Sequence, residues 1–189
     1  MPRNDNMVVA LDVGTSKVTA LVATIGSDGK IQFAGKGVAE NNKGMISGSV
    51  VNMDSIRDAI HKAIAEAEKV ADVHIKSVVL GISGEHISSI NSHGVVTVRG
   101  REVAQTDIDR VIEQAKSISL PGDRKIVGLE VGEYVVDEQS GIRNPRGMAG
   151  RRLEVKVHII TASIAMIQNL VKSVTDIGIQ VESIVVNSL

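Results

Sequence analysis

The sequence predicts an α/β chain in which a three-stranded antiparallel meander is extended by helix–strand crossovers and interrupted by a second compact unit. Three observations carry this. Residues Val8–Ile25, VVALDVGTSKVTALVATI, run strand-turn-strand, with no helix after the glycine. An amphipathic stripe at helical spacing precedes the apolar run Ser77–Ile82. Beyond Gly84 the pattern changes, and helix followed by strand returns only near residue 162.

Residues 1–6 are polar and are expected to be disordered. Met7–Val13 and Val18–Ile25 read as buried strands. Gly26-Ser27-Asp28-Gly29 is a turn, and Ile31–Val38 is the third strand. Residues 39–50 are rich in Gly, Asn and Ser and read as a loop. Asn52 or Asp54 caps a helix to about Ala71, with Ile56, Ile60, Ala63, Ile64 and Ala67 as its apolar stripe. Strand Ser77–Ile82 makes that helix a crossover onto the meander sheet.

Residues 86–99 suggest a strand or hairpin. Thr106 and Asp109 resemble a capping box for a helix to about Ser117, which buries Ile108, Val111, Ile112 and Ala115. Ile126–Val136 is strand-like, and Gly141–Arg152 is a polar loop holding Arg143, Arg146, Arg151 and Arg152. Leu153–Ile159 alternates as a half-buried strand does, with Glu154, Lys156 and His158 on the wet face. Ser163 caps a last helix with Ile164, Ile167, Leu170, Val171 and Val174 as its stripe. Gly178 stops that helix, and Val181–Val186 is the final strand. The predicted organisation is 1–83, an insert at 84–161 of strand-helix-strand-strand pattern, and 162–189. Without the insert, the order is that of the ribonuclease-H-like half-fold of actin-type ATPases, sugar kinases and some nucleases.

Composition narrows the function. A formal net charge of -1 over 189 residues gives no basic surface for nucleic acid or a polybasic membrane patch. With no cysteine, disulfides, thiolate metal sites and thiol nucleophiles are excluded. Phe33 and Tyr134 are the only aromatic residues, so base stacking on aromatic platforms is not expected. No apolar run approaches the roughly 18 residues of a membrane span, and no signal peptide is visible, which points to the cytoplasm.

The chemistry is expected in the first turn. Successive backbone N–H groups at a bend between strands converge on an anion. Gly14 lets the backbone bend and approach closely, Thr15 and Ser16 add hydroxyl donors, and Lys17 either adds a cation or points to solvent. Asp12 repels phosphate, so its role is to hold Mg²⁺ through water or to orient the turn. A Walker loop or a Rossmann fingerprint would need a helix here, and Val18–Ile25 is strand-like. The other candidates are weaker. His86 and His93 stand seven apart and do not match a ligand pair. His158 fits an exposed strand face, and the arginines at 143–152 fit a solvated loop. A nuclease needs several convergent carboxylates, and Asp12 has one candidate companion, Glu85.

Several strings resemble the FtsA family of bacterial cell-division proteins, which are actin homologues. LDVGTSKVTALV (11–22) is similar to the family's first phosphate motif, and SVVLGISGEHIS (77–88) to the strand that opens into its inserted subdomain, 1C. GIRNPRGM (141–148) and LEVKVHIITAS (153–163) resemble the end of that insert, and DIGIQVESIVVNSL (176–189) the return to subdomain 1A. The resemblance implies an α/β, actin-like fold: subdomain 1A with 1C inserted. It implies a protein that binds ATP with Mg²⁺, forms filaments with itself and tethers FtsZ to the cytoplasmic face of the inner membrane at the division site. Subdomain 1C is implied to serve filament contacts and to recruit late division proteins such as FtsN.

In the family, the second phosphate motif, the adenine contacts, the FtsZ-binding subdomain and the membrane helix come later than Leu189. The chain is therefore expected to be an N-terminal fragment, at most a weak ATPase, with weak or absent ATP binding. Two rivals share the superfamily: an actin-like assembly protein of type IV pili, and a sugar or carboxylate kinase.

Overall fold

A computed structural model describes residues 6–187. The expectation of disorder at 1–6 falls, apart from Asn6, outside the described residues. In chain order the elements are β1 (Met7–Val13), β2 (Lys17–Ile25), β3 (Ile31–Glu40), β4 (Met45–Ile46), β5 (Ser49–Val50), α1 (Met53–Ala71), β6 (Ser77–Ile82), β7 (Ile87–Thr97), α2 (Gln105–Lys116), β8 (Arg124–Val136), β9 (Gln139–Ile142), β10 (Arg152–Ser163), α3 (Ile164–Thr175) and β11 (Gln180–Val186). The chain divides into two compact units, one of them Ser88–Ala162 and the other the sequence on either side of it.

The flanking unit is built on a five-stranded sheet of order β11-β6-β1-β2-β3. β1, β2 and β3 form the antiparallel meander. β6 then lies parallel to β1, and β11 parallel to β6. Alternation explains the inner face: Val9, Leu11, Val13, Val18, Ala20 and Val22 are all buried. The stripe of α1, Ile56, Ile60, Ala63, Ile64 and Ala67, is buried with them. Of the two proposed caps, Asn52 is the one in place, its side chain accepting from Ser55 N at 3.0 Å. Gly178 takes a φ of 83° just after α3, the left-handed turn expected of it.

In the other unit the sheet order is β7-β10-β8-β9. Val98, Val103, Ile108, Val111, Ala115, Leu153, Val155, Val157 and Ile159 form its core. Three local expectations are corrected. Residues 39–50 are not all loop: β4 and β5 form a two-residue hairpin, because Ser47 and Gly48 both take positive φ, 48° and 81°, as a type I′ turn requires. Thr106 does not cap α2. The cap position lies two residues earlier, at Ala104, and the buried Asp107 accepts from Ala104 N at 3.1 Å while pairing with Arg110 at 2.9 Å. The segment expected to be a loop from Gly141 begins inside β9, an additional short strand that pairs antiparallel with β8.

The same packing device occurs in both units. A Cβ at Gly37 on edge strand β3 would stand 1.9 Å from Ala63 O, and one at Gly94 on edge strand β7 would stand 2.2 Å from Val111 O. Each helix thus lies with backbone against backbone at a glycine. Three residues further along each helix, a side chain caps the next edge amide: Glu66 Oε2 accepts from Val38 N at 2.7 Å, and Gln114 Oε1 accepts from Val95 N.

Gly37→Ala should lower stability by about 1–3 kcal/mol, the usual cost of overpacking, read as a lower urea midpoint. Gly122→Ala, with nothing within 4 Å of the added methyl, is the neutral control. Tyr134, the only tyrosine, is buried, and burial raises its pKa, with a smaller contribution from the Asp109 charge. The folded state therefore retains a phenol proton that the unfolded state releases near pH 10, so stability falls as pH rises through that range. Absorbance titration should show phenolate appearing later in folded protein than in urea.

Candidate phosphate site

Three parallel strands, β6, β1 and β11, bring their carboxyl ends to one edge of the sheet, the usual location of ligands in open α/β sheets. The β1–β2 ladder runs to Val13↔Val18, and Gly14 N closes the turn by donating to Lys17 O at 3.0 Å. Gly14, Thr15, Ser16 and Lys17 therefore form one lip beside Asp12, with Thr15, Ser16, Lys17 and Asp12 all exposed. These are the five residues expected from the sequence, and the fold places them together.

Two asparagines join them. Asn187 Nδ2 donates to Asp12 Oδ1 at 2.6 Å, and Asn187 N donates to Ile82 O at 3.0 Å. A Cβ on Gly81 would stand 2.2 Å from Asn187 Oδ1, so the bare strand makes room for that amide. Asn41, only 2% exposed, donates from Nδ2 to Gly14 O at 2.7 Å, and its main-chain N donates to Ser16 O at 2.9 Å. Sequence reasoning missed both. The end of a parallel strand could have flagged Asn187; Asn41 sits in a polar loop where asparagine carries no signal.

The β4–β5 hairpin tip completes the lip. Gly48 N donates to Thr15 Oγ1 at 3.3 Å, and Ser47 O accepts from Glu85 N at 3.4 Å. A hydroxyl that accepts from an amide keeps its own proton for another acceptor. Thr15 can therefore hydrogen-bond outward to an anion while its oxygen is held. Among the described residues, no group of three or more His, Cys, Asp or Glu gathers as a metal site. Glu85 contributes to this region through its backbone amide.

The wet face of the other unit's sheet carries a second cluster. Glu154 pairs with His93 at 2.8 Å and with Arg152 at 3.0 Å. His158 bonds Asn91 at 2.7 Å, and Lys156 bonds Glu133 at 2.5 Å. Of these groups, Asn91, His93, Glu154, Lys156 and His158 border a shallow depression of about 730 Å³ that also reaches Glu130 and Val131. The expectation that His158 sits on an exposed strand face agrees with this arrangement.

Residues 84–161 match the SHS2 domain inserted in FTSA. The whole chain aligns with cell division protein FtsA of Neisseria meningitidis, 42% identical over 189 residues. It is 41% identical to that of Pseudomonas aeruginosa over 187 residues, and 38% identical to that of Escherichia coli K12 over 179. Residues 84–161 are similar to the domain inserted in cell division protein FtsA, and the chain is similar to that protein over the span it covers. That span is 100%, 99% and 95% of this chain but only 45%, 45% and 42% of those three relatives, less than half their length. Among solved structures, a chain of the PilM-PilN type IV pilus biogenesis complex matches with a TM-score of 0.63 at 12% identity, covering 96% of this chain and 47% of that one. At that identity the likeness is one of fold. The fold is the actin-like α/β architecture with its SHS2 insert, and no helix among the described residues is long and apolar enough to cross a membrane.

Proposed function

We propose that this chain supplies the phosphate lip and the SHS2 domain of a cell-division scaffold that binds ATP and Mg²⁺ and assembles with itself. In this reading the whole protein tethers the FtsZ ring to the inner membrane on its cytoplasmic face, and residues 84–161 recruit late division proteins such as FtsN. The single observation that supports the nucleotide reading is the turn at 14–17, fixed beside Asp12 at the carboxyl ends of parallel strands.

The residues present fit the ligand. The N–H groups and hydroxyls of Thr15 and Ser16 suit phosphate oxygens, and Lys17 adds a positive charge. Asp12 has Oδ1 engaged by Asn187, which leaves Oδ2 for water on a magnesium ion. Magnesium would supply the charge neutralisation that lets a carboxylate and a phosphate share one edge of the sheet. The wet sheet face, with its paired charges and depression, supports the recruitment reading, since such a face offers oriented polar groups to a partner.

A lone turn supplies only part of the contacts that hold a nucleotide. Each charge-assisted hydrogen bond it lacks is worth about 1.5–3 kcal/mol, and every 1.4 kcal/mol is about tenfold in affinity. Calorimetry on residues 1–189 should therefore find MgATP binding weaker than micromolar, with no measurable hydrolysis; micromolar affinity would contradict this. For recruitment, titrating the chain with the cytoplasmic segment of FtsN should shift amide resonances of β7 and β10, and Glu154→Lys should weaken that binding about tenfold. Shifts confined to the sequence outside Ser88–Ala162 would refute the assignment.

A further inference from the structure

We propose that Asn41 is a positioning residue that locks the phosphate turn in its anion-binding form. The proposal rests on the reading of residues 14–17 as a phosphate site and names what sets that site's shape. Gly14 is the weak point of the turn. Without a Cβ, Gly14 leaves its own side of the peptide link to Thr15 free to rotate, and the remaining steric resistance comes from the β-branched Thr15, whose φ a full flip would make positive. The peptide is planar and trans, so its carbonyl and its N–H point in opposite directions. In one orientation the Thr15 N–H points away from Asn41, toward the exposed side of the turn. In the flipped orientation the Gly14 carbonyl oxygen would point there, and an anion would be repelled.

Asn41 selects the first orientation. Its Nδ2 holds Gly14 O at 2.7 Å, and its main-chain N–H holds Ser16 O at 2.9 Å, so two alternate carbonyls of the turn are drawn to one side. The other half of the amide is also engaged: Oδ1 accepts from Gly44 N at 3.2 Å. Residue 44 is glycine in a position where a Cβ would stand 2.4 Å from that oxygen. A polar side chain 2% exposed, with donor and acceptor both matched, is oriented without ambiguity. An aspartate in its place would keep the acceptor for Gly44 but could not donate to Gly14 O. An alanine would keep neither. The β3 backbone alone supplies only the Ser16 bond, which does not restrain the Gly14–Thr15 peptide.

The test compares the wild-type chain with Asn41→Ala and Asn41→Asp by amide NMR. Order parameters of Thr15 and Ser16 should fall from about 0.85 to below about 0.6 in both variants. The MgATP concentration needed for half-maximal shifts at residues 14–17 should rise at least about tenfold, while amides of β6 and α1 stay in place. Asn41→Asp keeps the Gly44 contact, so a residue that merely fills the loop would leave the turn unaltered in that variant. It also keeps the comparison decisive if Asn41→Ala does not fold. Wild-type order parameters and titration midpoints in both variants would overturn the proposal. If the wild-type chain shows no shifts at 14–17 at any MgATP concentration, the phosphate reading fails, and the order parameters still decide the role of Asn41.

Discussion

α1 meets edge strand β3, and α2 meets edge strand β7, backbone to backbone at glycines, and much of the architecture depends on that closeness. At Gly37 the α1 carbonyl of Ala63 occupies the space of a side chain, and at Gly94 the α2 carbonyl of Val111 does the same. The closeness brings the next side chain on each helix, Glu66 or Gln114, within reach of the edge amide one residue on. An exposed edge is otherwise a template for unwanted pairing. One interaction thus seats the helix and blunts the edge. In the flanking unit it also brings the start of α1 close to the sheet. The short loop and hairpin at 41–52 then have to fold back over the turn at 14–17, which places Asn41 and Gly48 against it.

The site follows from strand direction and very little else. Two antiparallel strands make the turn, and two parallel strands added beside them deliver Gly81 and Asn187 to the same edge as Asp12. Its polar groups are mostly donors: backbone amides, two hydroxyls and a lysine. The single carboxylate is already oriented by an amide. A donor-rich lip with one acid suits a polyphosphate carrying a divalent cation better than it suits metal-dependent cleavage of a phosphodiester, which uses several convergent acids. Residues 84–161 match the SHS2 domain inserted in FTSA, and the chain is similar to cell division protein FtsA over the span it covers. The pilus protein shares its architecture at 12% identity.

Much of this was legible in the sequence because periodicity is strong where one face is buried. β1, β2, β6 and α1 lie within a residue or two of where alternation and the apolar stripe put them. The five residues of the lip were found because glycine, hydroxyls and an acid at a strand turn have a direct chemical reason to be there. What was missed depends on tertiary context. The β4–β5 hairpin needs Ser47 at positive φ, a conformation that serine does not advertise. The start of α2 depends on a buried Asp107 reaching back to Ala104 N, where Thr106 offered a better local cap. Asn41 and Asn187 act through partners 27 and 175 residues away, and no local pattern reports such pairs.

In the proposed reading, anion and metal meet at the lip formed by residues 12–17 and Asn187. Paramagnetic broadening by Mn²⁺ with millimolar ATP tests it most directly, since manganese replaces magnesium and relaxes nearby amides. Broadening should centre on the amides of Asp12, Gly14, Thr15, Ser16 and Asn187 and be reversed by excess Mg²⁺. Broadening centred instead on His93, Glu154 and His158, or none at the lip, would contradict it.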